Sequence, residues 1–406
     1  MNVLFVAPGY PAEMPHYVRG LKANGATVFG LGEQQPHELP ALARENLADY
    51  GRFPGIFVDG ADLAPVKAWL GDRTIDRVVC QWEPGVLLCG RLRDFLGVHG
   101  MGYEAVLPFR DKQVMKDKIR AAGLRTARSE RASSAKEVRD AAPLVGYPLI
   151  VKPIAGAGSM DTFRCNTPAE IEAALARLTH IDEVVVEEFI EGEEYTFDTI
   201  CHEGQVLFWN ICVYRPRPLI ARTVEWISPQ TMVLRDVENP RYAAGRQLGL
   251  DVLKALAFTT GFTHMEWYLK ANGEAIFGEI AARPPGAHTV DIMNWANDID
   301  LFHGMGEAEV MGTFSQALER KYNCTCVTKR AAGQGIIRRI DGVEKVRRAL
   351  GDQLVAINLL NVGDHRRDWK LTLLGDGWLV VRDPDAQACM DACDFVGQTI
   401  QMYATP

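Results

Sequence analysis

No stretch of this chain comes near twenty consecutive apolar residues, so no helix is expected to span a membrane. The first residues, MNVLFVAPGYP, carry no basic run ahead of their apolar segment, and that segment is strand-length; no leader is expected and the chain reads as cytoplasmic. Excess positive charge is missing as well. Against 52 Asp and Glu stand 44 Lys and Arg, a formal charge of −8, which excludes a general attraction to nucleic acid or anionic lipid. Zinc-type cysteine groupings are absent: the nine cysteines are scattered, and the tightest pairs, Cys324/Cys326 and Cys389/Cys393, have no adjoining Cys or His to finish a tetrahedral site. An odd count argues against a disulfide framework. There is no repeat and no Ser-His or Cys-His nucleophile motif. The turn Pro8-Gly9-Tyr10-Pro11 lacks G-x-G-x-x-G spacing, so a dinucleotide cofactor is not expected.

What is present is ordinary globular material, 47% hydrophobic and 24% charged over 406 residues, enough for two or three domains at about 150 residues each. NVLFVAPG, TVFGLG and DRVVCQW are short apolar strands separated by helical or loop stretches, the alternation of a parallel α/β unit. From Asp111 to about Leu124 the spacing predicts an amphipathic helix with Lys112 and Lys116 on one face, ending at Gly123. YPLIVKP, EVVVEEFI and EYTFDTIC read as strands around a helix from Pro168 to Leu178, so the middle is α+β with mostly antiparallel strands. A helix is expected from about Tyr242 to Gly261. Then THMEWYL and EAIFGEI pair through the turn Lys270-Ala271-Asn272-Gly273. Beyond Gly333, QGIIRRI and WLVVRD with the helices VEKVRRAL and DAQACMDACDFVGQTI suggest a small closing subdomain.

Four segments carry chemistry. Lys152 ends an apolar strand just before Ala155-Gly156-Ala157-Gly158-Ser159, small residues whose backbone N–H groups can approach a phosphate closely. The run Glu187-Glu188-Phe189-Ile190-Glu191-Gly192-Glu193-Glu194 gathers carboxylates around one turn; it reads either as a solvated acidic turn, or as a place where backbone between Glu187 and Ile190 meets a base edge and Glu194 accepts from ribose hydroxyls. Glu266 and Glu279 lie at similar distances from the Asn272-Gly273 turn and so can share a face, where a hard cation such as magnesium would join them. Arg283 follows, placed to brace a transferring phosphoryl group.

In this order, Lys116, Lys152 with its glycine loop, the Glu187 to Glu194 turn, Glu266 and Glu279-x-x-x-Arg283 resemble the ATP-grasp superfamily. The phrase Arg110-Asp111-Lys112-x-x-Met115-Lys116 and the two end units look most like its carboxylate-amine ligases of the L-amino-acid ligase type. The resemblance implies an ATP-grasp fold: a Rossmann-like α/β domain over residues 1–110, an ATP-grasp domain over 111–312 and a C-terminal subdomain over 313–406. Within the middle domain, a nucleotide lobe would cover about 111–195 and a metal and substrate lobe about 196–312, which the C-terminal subdomain completes. It implies Lys116 and Lys152 on the ATP phosphates, Gly156, Ala157, Gly158 and Ser159 over them, and Glu187, Glu188, Phe189 and Ile190 at adenine with Glu194 at the ribose. It implies Glu266 and Glu279 on magnesium, or manganese in its place, and Arg283 at the reacting phosphoryl, with Lys152 and Glu279 sharing the catalytic work. One position departs from the pattern. Many relatives have Asn two residues after the second metal-binding Glu, where this chain has Ala281.

The activity implied is ADP-forming coupling of a carboxylate to an amine, with small-molecule partners and a homodimer as the expected assembly. An ammonia or thiol acceptor, or an ATP-binding regulator without catalysis, are the alternatives. Arg215, Arg217, Arg222 and Arg235 cluster in a segment that reads as a solvated face or as a lid meeting phosphate or carboxylate. His288, after Pro284-Pro285-Gly286-Ala287, is a further candidate at the substrate, and His264 shares a strand face with Glu266.

Overall fold

The computed structural model describes residues 1–154, 161–369, 372 and 375–406; the Gly156, Ala157, Gly158 and Ser159 expected over the phosphates lie outside them. At the amino terminus four parallel strands run in the order Asp49–Arg52, Thr27–Gly32, Asn2–Val6, Arg77–Cys80. Asn2–Val6 lies inside this sheet, and its Val3, Leu4, Phe5 and Val6 are fully buried, as a strand with both faces covered requires. The helix Met14–Ala23 fastens this unit to the rest by crossing the helix Leu301–Met311 at glycines: a Cβ on Gly20 would sit 2.0 Å from the Phe302 carbonyl oxygen, and one on Gly306 2.4 Å from Gly20. Backbones in such contact leave no room for side chains.

A second sheet is antiparallel, in the order Ser129–Ala132, Val184–Glu188, Leu149–Pro153, Phe163–Cys165. The helices Ala135–Val145 and Pro168–Arg177 cover it. They start where Ser134 and Thr167 accept hydrogen bonds from the amides of Glu137 and Glu170, satisfying helix-end donors.

The third sheet has nine strands. Its path runs Ala275–Ala281, Gly261–Leu269, Glu193–His202, Cys212–Arg215, Gln230–Val233, Asn323–Lys329, Gly377–Asp383, Leu354–Leu359, with Gln205–Asn210 paired to Glu193–His202. The WLVVRD strand thus joins this sheet and does not close a separate one. Ile336–Asp341, Gln401–Thr405 and Ala332–Gly333 form the small sheet left over at the carboxy terminus. Alternation along EYTFDTIC and THMEWYL sends Tyr195, Phe197, Met265 and Trp267 into the core under the helix Ala243–Ala255, where Gly245 lies so close to Trp267 that a Cβ would meet the indole at 2.1 Å. This helix is shorter than expected. Its chain reverses at Ala257 (φ +49°), with Phe258 N–H reaching back to the Leu253 carbonyl, a left-handed closure that glycine usually supplies and that alanine hides from a sequence reading. Gly261 then opens the next strand.

Candidate active site

Asp111 starts the first functional helix, Lys112–Ala121, by accepting from the amides of Gln113 (2.9 Å) and Val114 (3.0 Å). Met115 and Ile119 bury one side of it, and Lys112 and Lys116, four residues apart, turn toward the nine-stranded sheet at Glu279 and the antiparallel four-stranded sheet at Glu187. The Lys116 ammonium is fully buried against the Glu187 carboxylate. Lys152 reaches the same carboxylate at 3.1 Å and Glu279 at 3.6 Å, and Lys112 stands 3.7 Å from Glu279. Charge dictates the protonation here. Burial pulls Lys116 down to about 8 despite Glu187, and the neighbouring Lys152 charge adds to that. Burial works against the charged form of Lys152 too, but Glu187 and Glu279 outweigh it and hold the ammonium above its ordinary range. Burial also opposes ionisation of Glu279, yet Lys112, Lys152 and Lys116 bring it down to about 2.

Glu266 and Glu279 come together through a bulge. From the turn inward, Leu269, Tyr268 and Trp267 pair with Ala275, Ile276 and Phe277; one more regular step would set Glu266 opposite Gly278 and send Glu279 to the core face. Gly278 is instead the extra residue, and Glu266 pairs with Glu279. A Cβ on Gly278 would lie 2.8 Å from the Glu266 carbonyl oxygen, so the close approach suits glycine. The next strand keeps step: Glu194, Thr196 and Asp198 pair with Tyr268, Glu266 and His264, placing the polar residues of three strands on one face.

On that face His264 Nδ1 lies 2.6 Å from Asp198 and its Nε2 3.6 Å from Glu266. Burial disfavours its imidazolium, but Asp198 lifts the histidine to about 9. Tyr214 donates to Glu266 at 3.2 Å. Ala281 pairs with His264 across the ladder. Among the described residues no group of three or more His, Cys, Asp or Glu is arranged to hold a metal ion by itself. Two facing carboxylates beside three ammonium groups do fit magnesium, which completes its shell with phosphate oxygens and water.

Arg283 donates to Glu83 at 2.5 Å, and Arg110 donates to the other oxygen of Glu83 at 2.5 Å. Burial opposes the Glu83 charge, but the two guanidinium groups hold the carboxyl below its usual range. Glu83 is a residue the sequence reading missed. Its signal was its place, just past the carboxyl end of the Arg77–Cys80 strand, where open α/β sheets put their sites.

Around the expected nucleoside position the side chains are already engaged. Glu188 pairs with Arg125 at 3.1 Å and with Arg128 at 3.4 Å, while the amides of Glu188 and Phe189 donate to the Arg128 and Pro148 carbonyls. Glu194 accepts from Arg217 at 3.0 Å; burial, then the nearby Glu266 charge, push its carboxyl up to about 8. The other arginines of that segment have partners or burial of their own. Arg215 bonds Gln230 at 2.9 Å and Asp394 at 3.2 Å, Arg222 is partly buried, and Arg235 donates to the carbonyls of Arg320 and Pro384. His288 sits in the left-handed region (φ +61°) before the helix Thr289–Asn297, its Nδ1 2.7 Å from Asp291 and its ring 4.3 Å from that of Trp378.

Three lysines from a helix and a sheet gather around Glu187 and Glu279, and Glu279 pairs with Glu266 on a second sheet; residues 145–291 match the ATP-grasp domain family. The chain is similar to the L-arginine-specific L-amino acid ligase of Bacillus subtilis, with 31% identity over 218 residues, 52% of this chain and 52% of that protein. The chain therefore matches about half the length of this curated relative. Over 100% of this chain and 99% of the other, its fold is similar to that of the L-amino acid ligase from Bacillus licheniformis (TM-score 0.79, 17% identity). It is also similar to phosphoribosylglycinamide synthetase from Anaerococcus prevotii (TM-score 0.71, 17% identity, 100% and 99% covered). No helix of the described residues is long and apolar enough to cross a membrane.

Proposed function

We propose that this protein is an ADP-forming ligase that activates a small carboxylate with magnesium ATP and couples it to an amine, an amino acid being the favoured class. The observation that carries this reading is the cluster in which Lys112, Lys116 and Lys152 meet Glu187 and Glu279 while Glu266 pairs with Glu279 across the bulge. In the first step a carboxylate oxygen attacks the γ-phosphorus, giving an acyl phosphate and ADP; in the second an amine displaces inorganic phosphate and the amide forms. Magnesium held by Glu266 and Glu279 would neutralise charge on the phosphates. Lys116 and Lys152 hold phosphate oxygens, and the planar Arg283 fork, oriented by Glu83, meets the equatorial oxygens of the transferring group. The chain's own work is positioning and charge compensation, which needs no enzyme nucleophile. Similarity to L-amino acid ligases supports an amino acid substrate. A cytoplasmic homodimer completes the proposal.

The test is release of ADP and phosphate from magnesium ATP by purified protein across a panel of paired amino acids. ADP formed only when a carboxylate and an amine are both present is the expected result. Absence of ADP across the whole panel would remove the ligase reading.

A further inference from the structure

One lid arginine meets the very groups assigned to the nucleoside. Arg217 Nη1 donates to the Ile190 carbonyl at 2.9 Å, and its Nε donates to Glu194 at 3.0 Å. Its guanidinium carbon stands 4.9 Å from the ring centres of both Phe189 and Tyr268. A planar guanidinium between aromatic rings, donating to a backbone carbonyl on one edge, reproduces what an adenine ring with its exocyclic amine presents. The hydrogen bond to Glu194 uses the carboxylate that two ribose hydroxyls need, and only 6% of that side chain is exposed, so water offers it little alternative.

The pocket has little slack. Gly192 turns the chain between Ile190 and Glu194 so tightly against the neighbouring hairpin that a Cβ there would lie 2.7 Å from the Leu269 carbonyl oxygen. Arg217 precedes the short helix Pro218–Thr223 in the lid segment, whose far end is held by Arg330 donating to the carbonyls of Ala221 and Val224.

We propose that Arg217 competes with the nucleoside of ATP for this pocket, so that nucleotide binding displaces its guanidinium and with it the start of the lid. The proposal rests on reading the cluster as an ATP site. It makes the lid's position depend on the nucleoside and not on the phosphates, because the ion pairs of Lys116 and Lys152 are with Glu187 and Glu279, whereas Arg217 bonds Ile190 and Glu194.

Two probes separate these contributions in the full-length protein: magnesium ADP, which needs the nucleoside groups, and magnesium tripolyphosphate, which does not. Titration calorimetry of wild type and Arg217→Met, which keeps an apolar stem but loses both hydrogen bonds, should show ADP bound about tenfold tighter by the variant, a charge-assisted hydrogen bond being the competitor removed. Tripolyphosphate affinity should change by less than about twofold by the same argument. Arg217→Lys, which retains charge without the planar fork, should fall between. ADP bound equally or more weakly by Arg217→Met, with tripolyphosphate unchanged, overturns the competition and makes Arg217 a ligand contact. Equal tightening of both probes overturns it as well. If wild type binds neither probe, the ATP reading itself falls and takes the proposal with it.

Discussion

Lys116 and Lys152 share the Glu187 carboxylate, and Lys152 and Lys112 both stand at Glu279. Glu279 shows the consequence for stability. Its carboxyl lies near 2 in the folded chain against an ordinary 4.5, because three lysines outweigh its burial. As pH falls the unfolded chain takes the proton first, so this contribution is complete above 4.5 and is lost on the way down to about 2. Urea titrations at about pH 5 and about pH 3 should therefore show a smaller loss of stability in Glu279→Gln than in wild type. The same variant should lose at least about a hundredfold in turnover, since one metal carboxylate becomes an amide. Initial rates of ADP release measure it. Arg283→Lys should cost at least about tenfold in kcat, because a point charge does not reproduce the fork that Glu83 orients. The lysines, the paired glutamates and Arg283 were all readable from residue type and order. Glu83 was not, because its partners Arg110 and Arg283 stand 27 and 200 residues away from it.

At the scale of single elements, the hairpin Gly261–Leu269 and Ala275–Ala281 carries the argument. Its turn was legible in Ala271-Asn272-Gly273, with Gly273 at φ +84°. Its register was legible only in outcome: equal counting from Asn272-Gly273 gives the Glu266–Glu279 pair, but the ladder starts one step off, at Leu269 opposite Ala275, and reaches that pair through the bulge at Gly278, which nothing local announces. Gly278→Val should force the Glu266 carbonyl away, separate the two carboxylates and abolish manganese binding in the presence of ADP, as read by titration calorimetry. Unchanged manganese affinity in a folded Gly278→Val protein would mean that the bulge does not position the pair. The helix Ala243–Ala255 gives the same lesson, since an alanine at φ +49° ended it where the sequence pattern showed no stop.

Across the whole molecule, the parallel amino-terminal sheet and the antiparallel middle were legible because strand and helix periods alternate clearly along those segments. The pairing of Gln230–Val233 with Asn323–Lys329, and of that strand with Gly377–Asp383, was not, since strands so far apart in sequence carry no local sign of their partner. Nor was the glycine crossing of Gly20 and Gly306, which sets the amino-terminal unit that brings Glu83 to Arg283. Gly306→Leu should push these helices apart, lower the melting temperature by several degrees and reduce turnover more than ADP binding, because Glu83, which orients Arg283, belongs to the amino-terminal unit, whereas the residues proposed to hold ATP do not. The central claim is that a carboxylate is activated as an acyl phosphate at the lysine and glutamate cluster. Its most direct test uses a substrate whose carboxylate carries oxygen-18, with the inorganic phosphate released from magnesium ATP analysed by mass spectrometry. The account predicts one labelled oxygen in each phosphate formed; amide product with unlabelled phosphate, or label appearing in AMP, would contradict it.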